Sequence, residues 1–160
     1  MDKVNLIYGI GDVMHTHLNI NPFAEDESDI MVRGDLINLD KYVDDSELKE
    51  LVAIDVIDYL PMDKTESAIL NWVKKIRIGG SIILGGVDLF EVSKSLCQYR
   101  IDITEANILI HGDQQKPYMT RRANFTAMGL SEYLQTKFDF KIIKKRINNY
   151  KMIVEARRYQ

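Results

Sequence analysis

Two glycines separated by one residue, Gly9 and Gly11, directly follow a short apolar segment at residues 4–8. A glycine at the end of a buried strand lets the backbone approach a ligand, because no Cβ stands in the way. The pair therefore predicts a place where the chain meets a bound molecule. A plain tight turn explains the same two glycines equally well.

Three polar residues also follow apolar or β-rich segments. In nucleotide-binding α/β folds an acidic residue often ends the second strand and binds the ribose hydroxyls. Here that position is Asn21, whose side chain can donate and accept hydrogen bonds but carries no charge. Asp35 lies in a loop, where it suits either an adenine amine or a turn or helix cap. Asp55 interrupts the most apolar run, residues 51–57, so its carboxylate must be paired with another group or lie at the solvent-exposed end of the strand.

Other reactive side chains have no obvious partners. His111 stands alone, and His15 and His17 have no third ligand at short range, so we predict no metal site. Cys97 falls in an amphipathic segment and is predicted to be buried and inert. Arg121 belongs to a basic pair that suits either a solvated surface or an anionic substrate.

Hydrophobic periodicity predicts alternating strands and helices. The predicted strands are residues 4–8, 17–20, 29–32, 51–57, 81–87, 140–145 and 151–156, and the predicted helices are 63–76, 88–99, 104–110 and 126–137. Asn148 and Asn149 suit the tight turn of a final hairpin. This order predicts a single α/β domain over residues 1–160, with a mainly parallel twisted sheet, helices on both faces and a C-terminal antiparallel hairpin. Ligands of such sheets bind beyond the carboxyl ends of the strands.

Composition excludes several classes of protein. The chain has 160 residues, of which 46% are hydrophobic, and a formal net charge of -3. This balance suits one domain and does not favour a nucleic-acid partner. A single cysteine excludes an internal disulfide. With no long apolar run and no signal-like start, we expect a cytoplasmic protein without a membrane partner.

Several segments, in order and over nearly the whole chain, resemble the motifs of the small class I S-adenosylmethionine-dependent methyltransferases. The matching segments are VNLIYGIG (residues 4–11), HLNINP (17–22), GDLINL (34–39), ELVAIDVIDYLP (50–61), WVKKIRIGGSIIL (72–84), DL (88–89), IHGDQQ (110–115), NFT (124–126) and YKMIVEAR (150–157). The first is similar to the family's strand ending in G-x-G, and the last to its closing Y-x-x-x-V-E-A-R. The resemblance implies a Rossmann-like class I methyltransferase fold.

The resemblance also implies roles for individual residues. It places S-adenosylmethionine against Tyr8, Gly9, Gly11, Asn21, Asp35, Leu36 and Asp55. On the acceptor side it brings Asp88 and His111, either of which is a candidate general base, and Tyr118 and Arg121, which would bind the substrate. The relatives suggest a small-molecule or sugar-type acceptor, and methyl transfer between bound partners needs no metal.

Two departures keep a second hypothesis open. Ile7 replaces the acid or asparagine that the family carries before its first glycine, and Asn21 replaces the strand-two acid. Both changes fall on groups that would grip the cofactor. The alternative is a degenerate methyltransferase-fold protein with weak or no cofactor binding that acts as an interaction or regulatory module. Residues 111–124 read as a substrate lid or as a plain surface loop, and an oligomer is possible.

Overall fold

The structure is a computed structural model that describes residues 1–160 as one sheet with helices. The seven strands are Lys3–Leu6 (β1), Leu18–Ile20 (β2), Met31–Val32 (β3), Leu48–Ile54 (β4), Ile76–Val87 (β5), Lys141–Asn148 (β6) and Lys151–Arg157 (β7). Their order across the sheet is β3-β2-β1-β4-β5-β7-β6. Strands β1 to β5 pair in parallel, and β7 runs antiparallel to both β5 and β6. The predicted mainly parallel sheet and C-terminal hairpin are confirmed.

Four helices follow the strands: Thr65–Lys75 (α1, preceded by a 3₁₀ turn at Met62–Lys64), Leu89–Cys97 (α2), Ile103–His111 (α3) and Ala127–Phe138 (α4). Side chains cap three of them: Asp88 accepts from the Glu91 N–H, Asp102 from Glu105, and Thr126 from Gly129. Each of these bonds satisfies a backbone donor that the helix start leaves unpaired. Thr104, where the sequence placed the start of α3, lies inside that helix, which begins one residue earlier.

Helices α1 and α4 lie on the same face of the sheet. Glu66 of α1 and Lys137 of α4 form a salt bridge of 3.3 Å, and Trp72 of α1 is fully buried in the main core. The Trp72 indole N–H donates to the Leu36 carbonyl at 2.7 Å. This bond ties the long connection between β3 and β4 to the core, so Leu36 is a buried core residue with 1% exposure.

The helices are distributed unevenly, although the sequence predicted them on both faces. The connection between β1 and β2 contains no helix, because its few residues leave no room for one. Helices α2 and α3 contact mainly each other, around Val87 and Val92, rather than the strands. The face opposite α1 and α4 therefore has no helix packed against it.

Two local expectations are wrong, and chain geometry explains both. Cys97 is exposed, because the buried side of α2 is formed by Val92 and Ser95. The helix also ends at Cys97, before the predicted end at residue 99, and Tyr99 has a positive φ of 57° and is 94% exposed. The final hairpin turns on Asn149 and Tyr150, with φ of 48° and 66°, one residue later than predicted. None of the helices has both the length and the hydropathy that crossing a bilayer requires.

Candidate functional site

Gly9 and Asn21 join the carboxyl ends of β1 and β2. The Gly9 N–H donates to Asn21 Oδ1 at 3.2 Å, and Asn21 Nδ2 donates to the Gly9 carbonyl at 3.0 Å. Asn21 Oδ1 also accepts from the Phe23 N–H at 3.0 Å. Asn21 is 7% exposed, so its amide serves the backbone rather than a ligand. Gly9 has a φ of +75°, a conformation that favours glycine.

Four aromatic rings cover this edge of the sheet. Phe23 and Tyr118 stack with their ring centroids 3.8 Å apart, and Tyr8 stacks on Tyr59 at 5.3 Å. The edges of Phe23 and Tyr118 meet Tyr8 at 5.2 and 6.3 Å. Burial raises the pKa of both Tyr8 and Tyr59, so both phenols are neutral. We call these four residues the aromatic cluster.

The loop of residues 112–121 packs directly on Gly9. A Cβ placed on Gly9 would lie 2.8 Å from Met119 Sδ and 2.9 Å from Tyr118 Cε2. Met119 is 8% exposed and belongs to the main core. The space that a glycine opens at the end of β1 is therefore filled by the chain's own side chains.

A cluster of four charged side chains, two of them buried and two half-exposed, anchors the end of this loop. The Arg121 guanidinium donates to Asp58 Oδ2 and, at 3.4 Å, to Asp55 Oδ1, and it lies 4.8 Å from the centroid of the Tyr59 ring. Lys151 Nζ donates to Asp55 Oδ1 at 2.8 Å. The Asp58 carbonyl also accepts from the N–H groups of Arg122 and Ala123. The loop is thus held to the segment after β4 by backbone and side chain together.

Among the charged side chains around Arg121, Asp58 has the most strongly shifted pKa. Burial raises its pKa to about 6; Arg121 opposes that rise, and Asp55 adds to it. Asp58 Oδ1, Arg121 Nε and Asn124 Oδ1 are buried with no hydrogen-bond partner. Unpartnered polar atoms of this kind are uncommon in protein interiors.

Asp88 has a structural role in place of the predicted catalytic one. Its Oδ2 accepts from the Glu91 N–H at 2.8 Å, and its Oδ1 accepts from the Ala127 N–H at 2.8 Å. It therefore caps both α2 and the start of α4, and it is 1% exposed. A carboxylate with both oxygens engaged and no access to solvent is not available to take a proton from a substrate.

The other predicted residues fall into separate places. Gly11 lines a cleft of about 350 Å³ with Val52, Ile54 and Asp55, on the sheet face without helices. Asp35 is exposed and caps a turn, accepting from the N–H groups of Ile37 and Asn38. His111 is exposed at the end of α3, where its carbonyl accepts from the Arg121 N–H at 2.9 Å.

Comparison with known proteins identifies the fold. No family model and no curated protein matches the chain. Among solved structures, the chain is similar to a methyltransferase of Thermotoga maritima described as a possible histamine N-methyltransferase, with 16% identity and a TM-score of 0.62 over 98% of this chain and 81% of that one. A methyltransferase of Methanosarcina mazei gives 12% identity and a TM-score of 0.61 over 98% and 92% of the two chains. The fold is that of the class I S-adenosylmethionine-dependent methyltransferases.

A third similar structure contains bound S-adenosylhomocysteine. It is the 1,6-didemethyltoxoflavin N1-methyltransferase of Burkholderia thailandensis, with bound S-adenosylhomocysteine, and it shares 11% identity and a TM-score of 0.60 over 98% of this chain and 71% of that one. At this identity the likeness establishes the fold alone.

The class I fold allows a test of whether the residues of this chain fit the cofactor. Gly9, with its positive φ at the end of β1, and the exposed carboxylate of Asp35 both suit an adenosyl compound. Asn21 does not, because its amide is committed to Gly9 and Phe23. Tyr118 and Met119 fill the space before Gly9, so the site fits the cofactor only after the loop moves.

Sequence reasoning missed five residues that shape this site: Phe23, Asp58, Tyr59, Met119 and Lys151. Asp58 carried a readable signal, since it is a second acid three residues after Asp55 in an otherwise apolar run. Phe23, Met119 and Lys151 carried none. Each reaches the site from a different part of the chain, and only the fold brings them together.

Proposed function

We propose that this protein is an S-adenosylmethionine-dependent methyltransferase for a small-molecule or sugar-type acceptor. We propose further that residues 112–120 must leave the sheet edge before the cofactor binds. The observation that carries the proposal is Gly9, whose left-handed backbone after β1 leaves space into which the Tyr118 and Met119 side chains pack. That strand end is where α/β sheets bind nucleotide-like ligands.

The roles of the chain's residues follow from their placement. When bound, S-adenosylmethionine supplies an electrophilic methyl group. Gly9 would hold it through backbone groups, and Asp35 through carboxylate lone pairs that its turn leaves free. The protein must also align the acceptor and take the proton that the acceptor loses. His111 is exposed beside Arg121 and is our candidate for that base.

Arg121 contributes by positioning rather than by binding an anionic acceptor. Its side chain is 8% exposed and is shared between Asp58 and Asp55. Its charge is therefore neutralised inside the protein. We assign it to holding the base of the moving loop, so that residues 112–120 can open while residues 121–124 stay in place.

A second candidate function rests on a specific observation. The three hydrogen bonds of the Asn21 amide to the backbone and the 3.8 Å stack of Phe23 on Tyr118 make a closed, well-packed edge. Such an edge suits a protein that kept the fold and lost the cofactor. It would then act as an interaction or regulatory module.

Calorimetric titration with S-adenosylhomocysteine and S-adenosylmethionine separates the two functions. Under the first, the wild type binds and Tyr118→Ala binds several-fold tighter, because the variant no longer has to displace the stack on Phe23. Tyr99→Ala is the matched control, since Tyr99 is 94% exposed and remote in sequence from the loop. If neither the wild type nor Tyr118→Ala binds either compound, the first function is contradicted and the second is supported.

A further inference from the structure

The sheet face opposite α1 and α4 carries apolar side chains that no helix covers. Ile54, Ile83 and Ile153 lie half-buried on this face. A Cβ on Gly85 would lie 2.7 Å from Ile54 Cδ1 and 3.2 Å from Ile153 Cδ1, so these two side chains meet across β5. The result is an apolar strip across β4, β5 and β7, and Glu155 lies beside it on the same face, as the cross-strand neighbour of Ile83. A mainly parallel sheet normally has both faces covered.

The segment of residues 10–14 extends the strip on the side of β1. Asn5 Nδ2 donates to the Asp12 carbonyl at 2.8 Å, and the Met14 N–H donates to Asn19 Oδ1 at 2.9 Å, and these two bonds fix the segment against the sheet. Ile10 and Val13 are 67% and 44% exposed. Exposed apolar side chains therefore stand next to the half-buried isoleucines of the strands. A contiguous patch of this kind marks an interaction site.

The two ends of the sheet carry opposite charge. Strand β6 forms one edge, and four of its eight residues are basic: Lys141, Lys144, Lys145 and Arg146. Strand β3 forms the other edge, and four of the five residues 25–29 just before it are acidic and exposed: Glu25, Asp26, Glu27 and Asp29. The sheet is thus basic at one end, apolar in the middle and acidic at the other end.

We propose that this face binds a second copy of the same chain, with the two-fold axis parallel to the strands and passing over β4. Strand β4 is the fourth of seven in the sheet order, so it lies at the centre. Under this axis each copy's order is reversed over the other, and β6 of one copy faces the acidic β3 end of its partner. Ile10 and Val13 of one copy then face Ile83 and Ile153 of the other.

Charge selects this axis over the alternative. An axis perpendicular to the strands would also pair the two faces, but it would place β6 over β6 and bring Lys144 and Arg146 against their own copies. Like charges in direct contact oppose association, whereas complementary ends steer it. The chosen arrangement is isologous and closes on itself, as most homodimers do. This inference is independent of the proposed catalytic function.

Sedimentation velocity of the full chain over a wide concentration series tests the proposal. We expect a monomer–dimer equilibrium that weakens as salt is added. Ile83→Glu is expected to raise the dimer dissociation constant by about tenfold or more, because it would bury a charge in the apolar centre. Leu70→Glu is the matched control, since Leu70 is 42% exposed on α1, on the other side of the sheet, and its replacement leaves the equilibrium unchanged.

A charge exchange tests the axis and avoids any loss of core packing. Lys144→Glu with Arg146→Glu should weaken the dimer, and adding Glu25→Lys with Asp26→Lys to the same chain should restore it. A monomer at every concentration would overturn the proposal, and so would a dimer that Leu70→Glu disrupts and Ile83→Glu does not. Failure of the second pair of substitutions to restore association would overturn the orientation.

Discussion

The Asn21 side chain grips the Gly9 backbone from both sides, accepting from its N–H at 3.2 Å and donating to its carbonyl at 3.0 Å. This pair fastens the carboxyl end of β1 to that of β2. Asn21, which the sequence predicted as a ribose ligand, therefore holds the loop that contains Gly9 in place; we call this pair of bonds the clamp. The consequence can be measured, because aspartate cannot donate the second bond.

Asn21→Asp should lower the stability of the protein. A carboxylate would face the Gly9 carbonyl without a donor, in a site that is 7% exposed, and this costs about 1–3 kcal/mol. Thermal unfolding followed by circular dichroism should show a melting temperature lower by several degrees. Asn38→Asp is the control, because exposed Asn38 only accepts, from the Asp40 N–H. An unchanged melting temperature in Asn21→Asp would contradict the clamp.

Asp88→Ala should destabilise the fold about twice as much as the loss of one helix cap. Asp88 serves two N–H groups, those of Glu91 and Ala127, and one lost cap costs about 1 kcal/mol. Asp102→Ala is the matched comparison, since Asp102 accepts from the Glu105 N–H alone. Urea unfolding of both variants gives the two losses. Equal losses would show that the bond to Ala127 contributes nothing.

Arg121→Ala should be strongly destabilising near neutral pH. It leaves Asp58 buried beside Asp55 without its cation, and removal of one partner from a buried pair costs about 3–5 kcal/mol. The loss should be smaller in acid, where Asp58 takes up a proton. Arg122→Ala is the control, because exposed Arg122 contributes its backbone N–H to the Asp58 carbonyl. Similar free energies of unfolding for Arg121→Ala and Arg122→Ala would contradict the anchoring role of Arg121.

Asp58 should make stability depend on pH in the direction opposite to that of an ordinary paired carboxylate. Its pKa is raised from 3.8 to about 6, so the folded protein holds the Asp58 proton more tightly than the unfolded chain does. This contribution is greatest below the unfolded value, falls as pH rises to about 6, and is constant above that.

Asp58→Asn isolates that contribution. The free energy of unfolding of the wild type minus that of the variant should decrease by up to about 3 kcal/mol as pH rises through this interval. Urea unfolding at a series of pH values measures the difference, and subtraction cancels the titration of all other groups that the substitution leaves unperturbed. A difference that does not vary with pH, or one that increases, would contradict a raised pKa.

The sequence alone determined the fold class, because strand and helix periodicity are local properties. The apolar runs at β1, β4 and β5 predicted buried parallel strands, and the two final runs predicted the hairpin. Helices α1 and α4 followed from their apolar stripes, with bounds that moved only by a few residues. Asp88 and Thr126 stand immediately before α2 and α4, where the sequence placed the helix starts and where their side chains cap the helices.

Tertiary structure alone decided what the polar residues do. Asn21, Asp88 and Arg121 are residue types that ligand sites use. In this fold each of them is instead bonded to a backbone group or to an opposite charge of the same chain. Those partners, Gly9, Ala127 and Asp58, are 12, 39 and 63 residues distant along the chain. The satisfaction of a buried polar group depends on contacts of that range, which no local pattern records.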